Sequence, residues 1–216
     1  MKTMENENPA ASENKNIKSH ELDVSFWNHC WKSGQTGWDV GYATQPITEY
    51  LDQYENKDAA VLIPGCGNAY EAAYMLDLGF TNITLLDISD EAVKIIKEKF
   101  KSAPQVKVLC EDFFEHEGKY DLIIEQTFFC AQVLERRSEY VKKASSILNE
   151  NGRLAGVLFG ISFGPSGPPF GGRFEEYRIL FSPFFQLKTM EPCYNSIPPR
   201  SGSELFITFI KKQKPD

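Results

Sequence analysis

The middle of the chain alternates short apolar runs with segments of mixed polarity. Five runs are mostly continuous in hydrophobicity: AVLIPG (60–65), NITLLDIS (82–89), VKVLCED (106–112), YDLIIEQ (120–126) and GRLAGVLFG (152–160). Such runs are typical of strands that helices cover on both faces. Helical character separates most of them, at 68–78, at 90–100 with Ser89 as the N-cap, and at 137–148. This alternation predicts a doubly wound α/β sheet of mostly parallel strands.

The two ends of the chain depart from this alternation. Residues 1–20 are polar and rich in Asn and Glu, which predicts a disordered tail ahead of a single domain over 21–216. Trp27 and Trp31 lie one helical turn apart and Pro46 is placed to open a second helix, so residues 21–56 predict a helical lid, called here the lid segment. The strand-like runs 184–192 and 204–212 have no helix between them. They predict an antiparallel pair that completes a seven-stranded, Rossmann-like sheet.

The charge and residue composition of the chain indicate which class of molecule it binds. The formal net charge of -7 disfavours nucleic acid, because such a partner requires a clustered positive surface. No stretch approaches the roughly 20 apolar residues of a membrane span, and the N-terminus lacks the apolar core of a signal peptide. The aromatic fraction of 13% favours a lined pocket for a small molecule. We expect a cytoplasmic monomer with a small-molecule substrate, and neither nucleic acid nor membrane as a partner.

The cysteines and histidines form no recognisable site in the sequence. Five cysteines lie far apart without a CxxC pair, and three histidines are equally scattered. This pattern fits reduced thiols and disfavours a structural zinc site. Cys66 and Cys130 have no histidine at a recognisable spacing, so we expect them to be small, partly buried residues and not nucleophiles.

A glycine-containing turn follows the first apolar run. Ligands of open α/β sheets bind beyond the carboxyl ends of the strands, which makes this turn a candidate. A pyrophosphate fingerprint requires a third glycine after Gly65 and Gly67, but Tyr70 stands at that position. The turn therefore departs from the dinucleotide pattern, and taken alone it also fits a tight corner.

Carboxylates stand at the ends of the next two runs. Asp87 can accept both hydroxyls of a ribose, or it can be a turn residue at the start of a helix. Asp112 can accept from an adenine amine while Phe113 packs near the ring; otherwise Asp112 is a cap and Phe113 a core residue. The turn and the two strand ends together describe an adenosine site with no requirement for phosphates. S-adenosylmethionine fits that description better than NAD.

Three tryptophans stand ahead of the first strand. The sulfonium of S-adenosylmethionine is positive and attracts the negative faces of aromatic rings by about 0.5–2 kcal/mol. Trp27, Trp31 and Trp38 can supply such faces and bracket a glycine-containing loop, as a lid would. Tryptophans at helical spacing also fit a hydrophobic core.

Several stretches together resemble one family. FWNHCWKSGQTGWDVGYATQPI, VLIPGCGNAYE, LLDIS, YDLIIEQTFFCA and GPPF are similar to the thiopurine S-methyltransferase superfamily, and within it to the halide/thiol methyltransferase branch. The likeness covers nearly everything after the tail and implies the class I methyltransferase fold with S-adenosylmethionine as cofactor. It also implies the residues that hold the cofactor: Trp27, Trp31, Trp38, Gly65, Asp87, Asp112, Phe113 and Gln126.

Two positions depart from the family pattern. Relatives tend to carry Tyr or Arg where this chain has Gln126. Phe159 stands where the halide branch has a tyrosine. A halide would lose a hydrogen-bond donor at this position, which favours a soft organic thiol as the acceptor. Phe159 also fits a purely structural role as a buried strand residue. The aromatic residues expected around an apolar acceptor are Trp38, Tyr42, Phe128, Phe129, Phe159 and Phe170.

The implied reaction is an in-line displacement that yields S-adenosylhomocysteine and a methylated thiol, halide, thiocyanate or thiopurine-like acceptor. Positioning of the reactants can supply up to roughly 7–11 kcal/mol of the barrier, so no catalytic base is required and none is predicted.

Glu125 either orients a ligand or caps a loop. Two alternatives stay open: an NAD-dependent oxidoreductase and a non-catalytic scaffold that binds the cofactor.

Overall fold

A single seven-stranded sheet forms the centre of the computed structural model, which describes residues 22–164 and 167–213. The tail predicted for residues 1–20 lies outside these ranges. The strands are β1 Val61–Pro64, β2 Ile83–Asp87, β3 Val106–Cys110, β4 Tyr120–Gln126, β5 Leu148–Phe159, β6 Phe185–Pro192 and β7 Glu204–Lys211. Their order in the sheet is β3-β2-β1-β4-β5-β7-β6. The first five strands run parallel, and β7 is antiparallel to both of its neighbours. The predicted doubly wound sheet with a C-terminal antiparallel pair is confirmed.

The helices begin and end where local sequence signals favour it. They are α1 Val24–Ser33, α2 Gln45–Asp52, α3 Tyr70–Asp77, α4 Asp90–Lys99, α5 Arg137–Ile147 and α6 Phe174–Phe181. Ser89 caps α4 by accepting from the Ala92 amide at 3.3 Å, and Pro46 stands in the first turn of α2. Helix α6 was not predicted from the sequence. Its signal was the helical spacing of Tyr177 and Phe181, which are buried, but a glycine- and proline-rich stretch before it obscured the pattern.

Two apolar layers cover the sheet, one on each face. Successive side chains of a strand point to opposite faces, so Leu62 of β1 joins one layer while Val61 and Ile63 join the other. Helices α5 and α6 contribute to the layer of Leu62, and α2, α3 and α4 to the opposite one. None of the helices in the described ranges is long and apolar enough to cross a membrane.

The chain order reverses between β1 and β4, which are neighbours in the sheet. A crevice for ligands is expected beyond the carboxyl ends of the strands at such a point. The turn after β1 passes through Gly65 and Gly67, both with positive φ (56° and 51°). A Cβ on Gly65 would lie 2.2 Å from the ring of Phe128, which follows β4, so this glycine lets the two loops approach each other.

Candidate active site

A cavity of about 720 Å³ lies at the carboxyl ends of the strands, between the strand ends and the lid segment. Its volume falls within the roughly 300–1,000 Å³ of small-molecule sites. The strand ends contribute Gly65, Asp87, Asp112, Thr127 and Phe159, which stand at or just after the ends of β1, β2, β3, β4 and β5. The lid segment contributes Phe26, Trp27, Cys30, Trp31, Gln35, Gly37 and Trp38.

The structure brings most of the predicted cofactor residues together around this cavity. The lining includes Trp27, Trp31, Trp38, Gly65, Asp87, Asp112 and Phe113. Phe159, predicted near the acceptor, also lines it, and so does Phe128. Residues as far apart in the chain as Trp27 and Phe159, which are separated by 132 positions, therefore line one cavity.

Four predicted residues lie outside the lining. The Gln126 side chain accepts a hydrogen bond from the Thr44 hydroxyl at 3.0 Å, and Tyr42 is 51% exposed at the surface. Phe129 is buried in the layer beneath α5 and α6, where its ring meets Tyr140 at 5.0 Å. Phe170 is also buried, and its backbone amide donates to the carbonyl of Cys130. The structure therefore gives these four side chains no place on the cavity wall.

The tryptophans form a half-buried cluster over the cavity. The Trp38 ring meets Trp27 edge-to-face at 5.5 Å and Trp31 at 6.2 Å. Only Cys30 among the described residues of α1 is fully buried, so the indoles face the cavity and are not part of either core layer. Trp27 and Trp31 lie on the same face of α1, one turn apart, as their spacing predicted.

Asn28, Trp38 and Asp39 of the lid segment form hydrogen bonds with residues close to the cavity. Asn28 accepts from the Ser89 hydroxyl at 2.6 Å and donates to Asp90, both at the start of α4. Asp39 accepts from Asn68 and from the Tyr70 hydroxyl, which lie in the β1–α3 turn and at the start of α3. The Trp38 carbonyl accepts from Arg200 at 2.9 Å. These hydrogen bonds join the lid segment to three places in the molecule: the start of α4, the turn that leads into α3, and the turn before β7.

Asp87 is a buried carboxylate with free acceptor capacity. One oxygen accepts from the Gly67 amide at 3.1 Å and the other from the Ser89 amide at 2.9 Å. Each carboxylate oxygen has two lone pairs, so each can accept one further hydrogen bond from a ligand. Burial raises the pKa of Asp87, and the backbone donors oppose that rise.

Asp112 lies at the far end of the cavity, after β3. Its side chain accepts from the Phe114 amide at 2.9 Å, and the Arg136 guanidinium lies 3.9 Å from its other oxygen. Arg136 also stacks over the Phe114 ring at 3.4 Å. Phe113 packs against Tyr140, is almost fully buried and also lines the cavity. It is therefore both a core residue and a cavity residue, the two roles that the sequence left open.

Glu125 organises the loop after β4. It is completely buried; one oxygen accepts from the amides of Phe128 and Phe129 at 2.9 and 2.8 Å, and the other accepts from the Tyr140 hydroxyl at 2.5 Å. Burial raises the pKa of Glu125 to about 7. Thr127, between Glu125 and these amides, has φ 60°, a rare value for a β-branched residue. The contacts fit the loop-capping role that the sequence analysis offered for Glu125.

The buried cysteines have the properties of packing residues. Burial raises the pKa of Cys66 well above its ordinary value and that of Cys130 to about 12. A thiol with so high a pKa stays protonated near neutral pH and is a poor nucleophile.

Among the cavity-lining side chains that were not predicted from the sequence are Thr127, Arg136 and Arg200. Arg136 stands in a short 3-10 turn before α5, and Arg200 in another before β7. Thr127 could have been predicted from its place directly after β4. No sequence signal marks Arg200, because it reaches the cavity only through the pairing of β7 with β5, which are distant in the chain.

Comparison with known proteins agrees with this geometry. The family model of thiopurine S-methyltransferase matches residues 22–206. Among relatives, the chain is 32% identical to "Probable thiol methyltransferase 2" of Arabidopsis thaliana, covering 82% of this chain and 81% of that protein. It is 30% identical to "Thiocyanate methyltransferase 1" of Brassica oleracea, covering 85% and 83%.

A solved structure with the same fold is the Burkholderia thailandensis 1,6-didemethyltoxoflavin-N1-methyltransferase, which contains S-adenosylhomocysteine. The TM-score is 0.72 at 18% identity, and the match covers 96% of this chain and 93% of that one. The comparisons support the methyltransferase interpretation over the NAD-dependent oxidoreductase. The chain belongs to the thiopurine S-methyltransferase family and is an S-adenosylmethionine-dependent methyltransferase.

Proposed function

We propose that the cavity holds S-adenosylmethionine across the ends of β1 to β3 and a small sulfur nucleophile toward β4 and β5. One observation carries this proposal: the buried carboxylate of Asp87 and three half-buried indoles line the same cavity. The two features match the two ends of the cofactor, a ribose with hydroxyl donors and a positive sulfonium. The polar and aromatic residues present therefore fit the cofactor.

The adenosine end of the site lies at β2 and β3. We assign the ribose hydroxyls to the free lone pairs of Asp87, whose carboxylate the Gly67 and Ser89 amides hold in place. We assign the adenine to Asp112 and Phe113, at the end of the neighbouring strand. A residue that reaches this end from the opposite side is Arg136, which positions Asp112 through their ion pair.

The methyl-transfer end lies under the tryptophans. When bound, S-adenosylmethionine supplies an electrophilic methyl group on a positive sulfur. Trp31 lies beside the glycine turn, since a Cβ on Gly67 would come 3.7 Å from its ring, and Trp38 contacts both other indoles. The indoles also cover the cavity and exclude water, which would compete with the acceptor.

The acceptor end of the cavity combines apolar side chains with Arg200, which lies 5.9 Å from the centre of the Phe159 ring. Phe159, Thr127, Pro168 and Pro169 line the cavity there, and Phe159 is held edge-to-face against Phe163 at 4.9 Å. An aromatic ring offers no hydroxyl to a halide, whereas it packs well against a polarisable sulfur compound. The names of the relatives include thiol and thiocyanate methyltransferases, which agrees with a thiol or thiocyanate acceptor.

The chain's own residues act by positioning. The site needs to align the acceptor sulfur with the methyl group and to keep water out, and a thiolate or thiocyanate needs no base once it is bound. The buried, protonated thiols of Cys66 and Cys130 take no covalent part. Cytoplasmic location and a monomeric state stay predictions from the sequence.

A panel of acceptors tests the proposed function. The protein is incubated with methyl-labelled S-adenosylmethionine and, separately, an aromatic thiol, hydrosulfide, thiocyanate and iodide, with protein-free reactions as controls. We expect labelled methyl sulfides or methyl thiocyanate, with kcat/KM lowest for iodide because Phe159 provides no donor. Binding of S-adenosylhomocysteine without turnover of any acceptor would instead favour a non-catalytic scaffold, and iodide as the best acceptor would overturn the thiol assignment.

A further inference from the structure

His116 is a buried histidine whose two ring nitrogens are both paired. Its side chain is 3% exposed. Nδ1 lies 2.8 Å from Oε2 of Glu111, and Nε2 lies 2.8 Å from the hydroxyl of Tyr120 at the start of β4. An ionised carboxylate can only accept, so Nδ1 donates its proton to Glu111. In the neutral ring Nε2 then accepts from the Tyr120 hydroxyl, which satisfies both nitrogens.

The backbone after β3 turns back on itself and brings His116 to Glu111. The carbonyl of Asp112 accepts from the amides of Glu115 and His116, both at 3.0 Å. From α5, the Nζ of Lys143 donates to the His116 carbonyl at 3.1 Å. These bonds fix the backbone that carries the imidazole. The position of the ring therefore depends on the fold and not on its contact with Glu111 alone.

Glu111 connects this buried ring to the cavity. It directly follows β3 and lines the cavity beside Asp112. Its amide donates to the Asp87 carbonyl at 3.1 Å, so Glu111 adjoins the residue that we assign to the ribose. The Glu111 side chain is 46% exposed, and its Oε1 has no hydrogen-bond partner within the described ranges. The imidazole thus holds one oxygen of the carboxylate, while the other has free lone pairs.

A carboxylate that the protein already holds is prepared for a donor. A mobile glutamate side chain loses conformational entropy when a ligand fixes it, and a side chain fixed in advance avoids most of this loss. The adenosine part of the cofactor carries donors of two kinds, the 6-amino group of adenine and the hydroxyls of the ribose. Both kinds belong to the part of the cofactor that we assign to the ends of β2 and β3, where Glu111 lies.

We propose that His116 is a positioning residue for cofactor binding: it holds Glu111 so that the free oxygen accepts a hydrogen bond from the adenosine part of S-adenosylmethionine. This inference rests on the proposed function. It adds Glu111 to the acceptors at the adenosine end of the cavity. His116 acts through Glu111 and touches neither the cofactor nor the reacting atoms.

The first test compares Glu111→Ala with Glu115→Ala in calorimetry with S-adenosylhomocysteine. Both positions are exposed in the segment after β3, and both variants lose one negative charge. We expect Glu111→Ala to bind about 5- to 10-fold more weakly, the equivalent of one hydrogen bond, and Glu115→Ala to change by less than about twofold. Equal affinities in the two variants would overturn this inference alone. No binding to the unmodified protein would overturn the proposed function and this inference with it.

Two variants of His116 separate positioning from a general structural role. Asparagine places its amide near Nδ1 and can still donate to Glu111, whereas glutamine places its amide near Nε2 and retains only the contact with Tyr120. We expect His116→Asn to keep the affinity for S-adenosylhomocysteine within about twofold and His116→Gln to lose about 5- to 10-fold. Equal affinities of the two variants, or a loss confined to His116→Asn, would overturn the proposal. Glu111→Ala, at an exposed position, keeps it testable if the His116 variants do not fold.

A double variant tests whether the two residues act through the same hydrogen bond. His116→Gln combined with Glu111→Ala should bind S-adenosylhomocysteine as weakly as Glu111→Ala alone, because the second change has nothing left to remove. Additive losses would mean that His116 acts by another route and would overturn its role as a positioning residue.

Two analogues of S-adenosylhomocysteine identify the donor. S-inosylhomocysteine lacks the 6-amino group, and the 2′,3′-dideoxy analogue lacks the ribose hydroxyls. The analogue without the partner of Glu111 should bind equally to Glu111→Ala and to the unmodified protein, whereas the other should keep a difference of about 5- to 10-fold. A difference that persists with both analogues would overturn the proposal, since Glu111 would then accept from neither kind of donor.

Discussion

Asp87 has two roles that use different lone pairs of one carboxylate. Its contacts with the Gly67 and Ser89 amides fix the turn after β1 and the start of α4, and the remaining lone pairs open into the cavity. Asp87 can therefore hold the turn and contact a ribose at the same time. The two interpretations that the sequence left open for this residue do not exclude each other.

Asp87→Ala tests the proposed ribose contact. Hydrogen bonds to a charged group contribute about 1.5–3 kcal/mol, so the variant should bind S-adenosylhomocysteine about 10- to 150-fold more weakly in calorimetry. Asp77→Ala, at the exposed end of α3, is the matched control and should bind normally. Equal affinity in the two variants would remove Asp87 from the cofactor site.

Helix α1 is an element whose position depends on few contacts. Asn28 joins it to Ser89 and Asp90 at the start of α4, and the same helix carries Trp27 and Trp31. Because the indoles lie on this helix, the strength of its docking sets how well they cover the cavity. The ion pair of Lys32 with Glu91 also links α1 to α4, but Lys32 is largely exposed.

Asn28→Ala should weaken docking of α1 and with it the binding of S-adenosylhomocysteine. The loss of its hydrogen bonds, about 1 kcal/mol in total effect, corresponds to about a fivefold lower affinity. Tryptophan fluorescence and calorimetry measure docking and affinity together. Lys32→Ala removes an exposed ion pair from the same helix and should have little effect. Loss of affinity in Lys32→Ala but not in Asn28→Ala would reverse this assignment.

The free energy of unfolding of the whole molecule should depend on pH through the carboxyl group of Glu125. The folded protein holds a proton on this buried carboxyl up to about pH 7, whereas the unfolded chain releases it near 4.5. The stabilising contribution is therefore complete below about pH 4.5 and is lost as the pH rises through about 7. The gap between the two pKa values corresponds to roughly 3 kcal/mol.

Glu125→Gln should remove this pH dependence, because the amide resembles the protonated acid and can still accept from Phe128 and Phe129. We compare the free energies of unfolding of Glu125→Gln and the unmodified protein in urea. The difference in favour of Glu125→Gln should rise by roughly 2.5 kcal/mol between pH 5 and pH 8. Other buried acids affect both proteins alike and cancel in the comparison. Glu150→Gln, at an exposed position, serves as the control. Parallel pH profiles for Glu125→Gln and the unmodified protein would disprove the assignment.

The sequence predicted the parts of this molecule that depend on local pattern. The strands were evident because both faces of the sheet are covered, and the site at the strand ends followed from the rule that ligands bind there. Adjacent phenylalanines after β4 mark the limit of such reasoning. Phe128 reaches the cavity and Phe129 the core, and which ring goes to which side depends on the left-handed Thr127 and the 3-10 turn that follow β4, a geometry that no local pattern of the sequence marks. Arg200 was out of reach because the pairing of β7 with β5, between distant segments, decides its place.

Tyr70 connects the glycine turn to the lid segment. It occupies the position of the third fingerprint glycine, and its hydroxyl donates to Asp39 at 3.3 Å. Replacing Tyr70 with glycine would also remove one of the two hydrogen bonds that Asp39 of the lid segment accepts from outside that segment, so the exchange would affect the lid segment as well as the turn. One side chain therefore both departs from the dinucleotide pattern of the turn and helps to attach the lid segment above it.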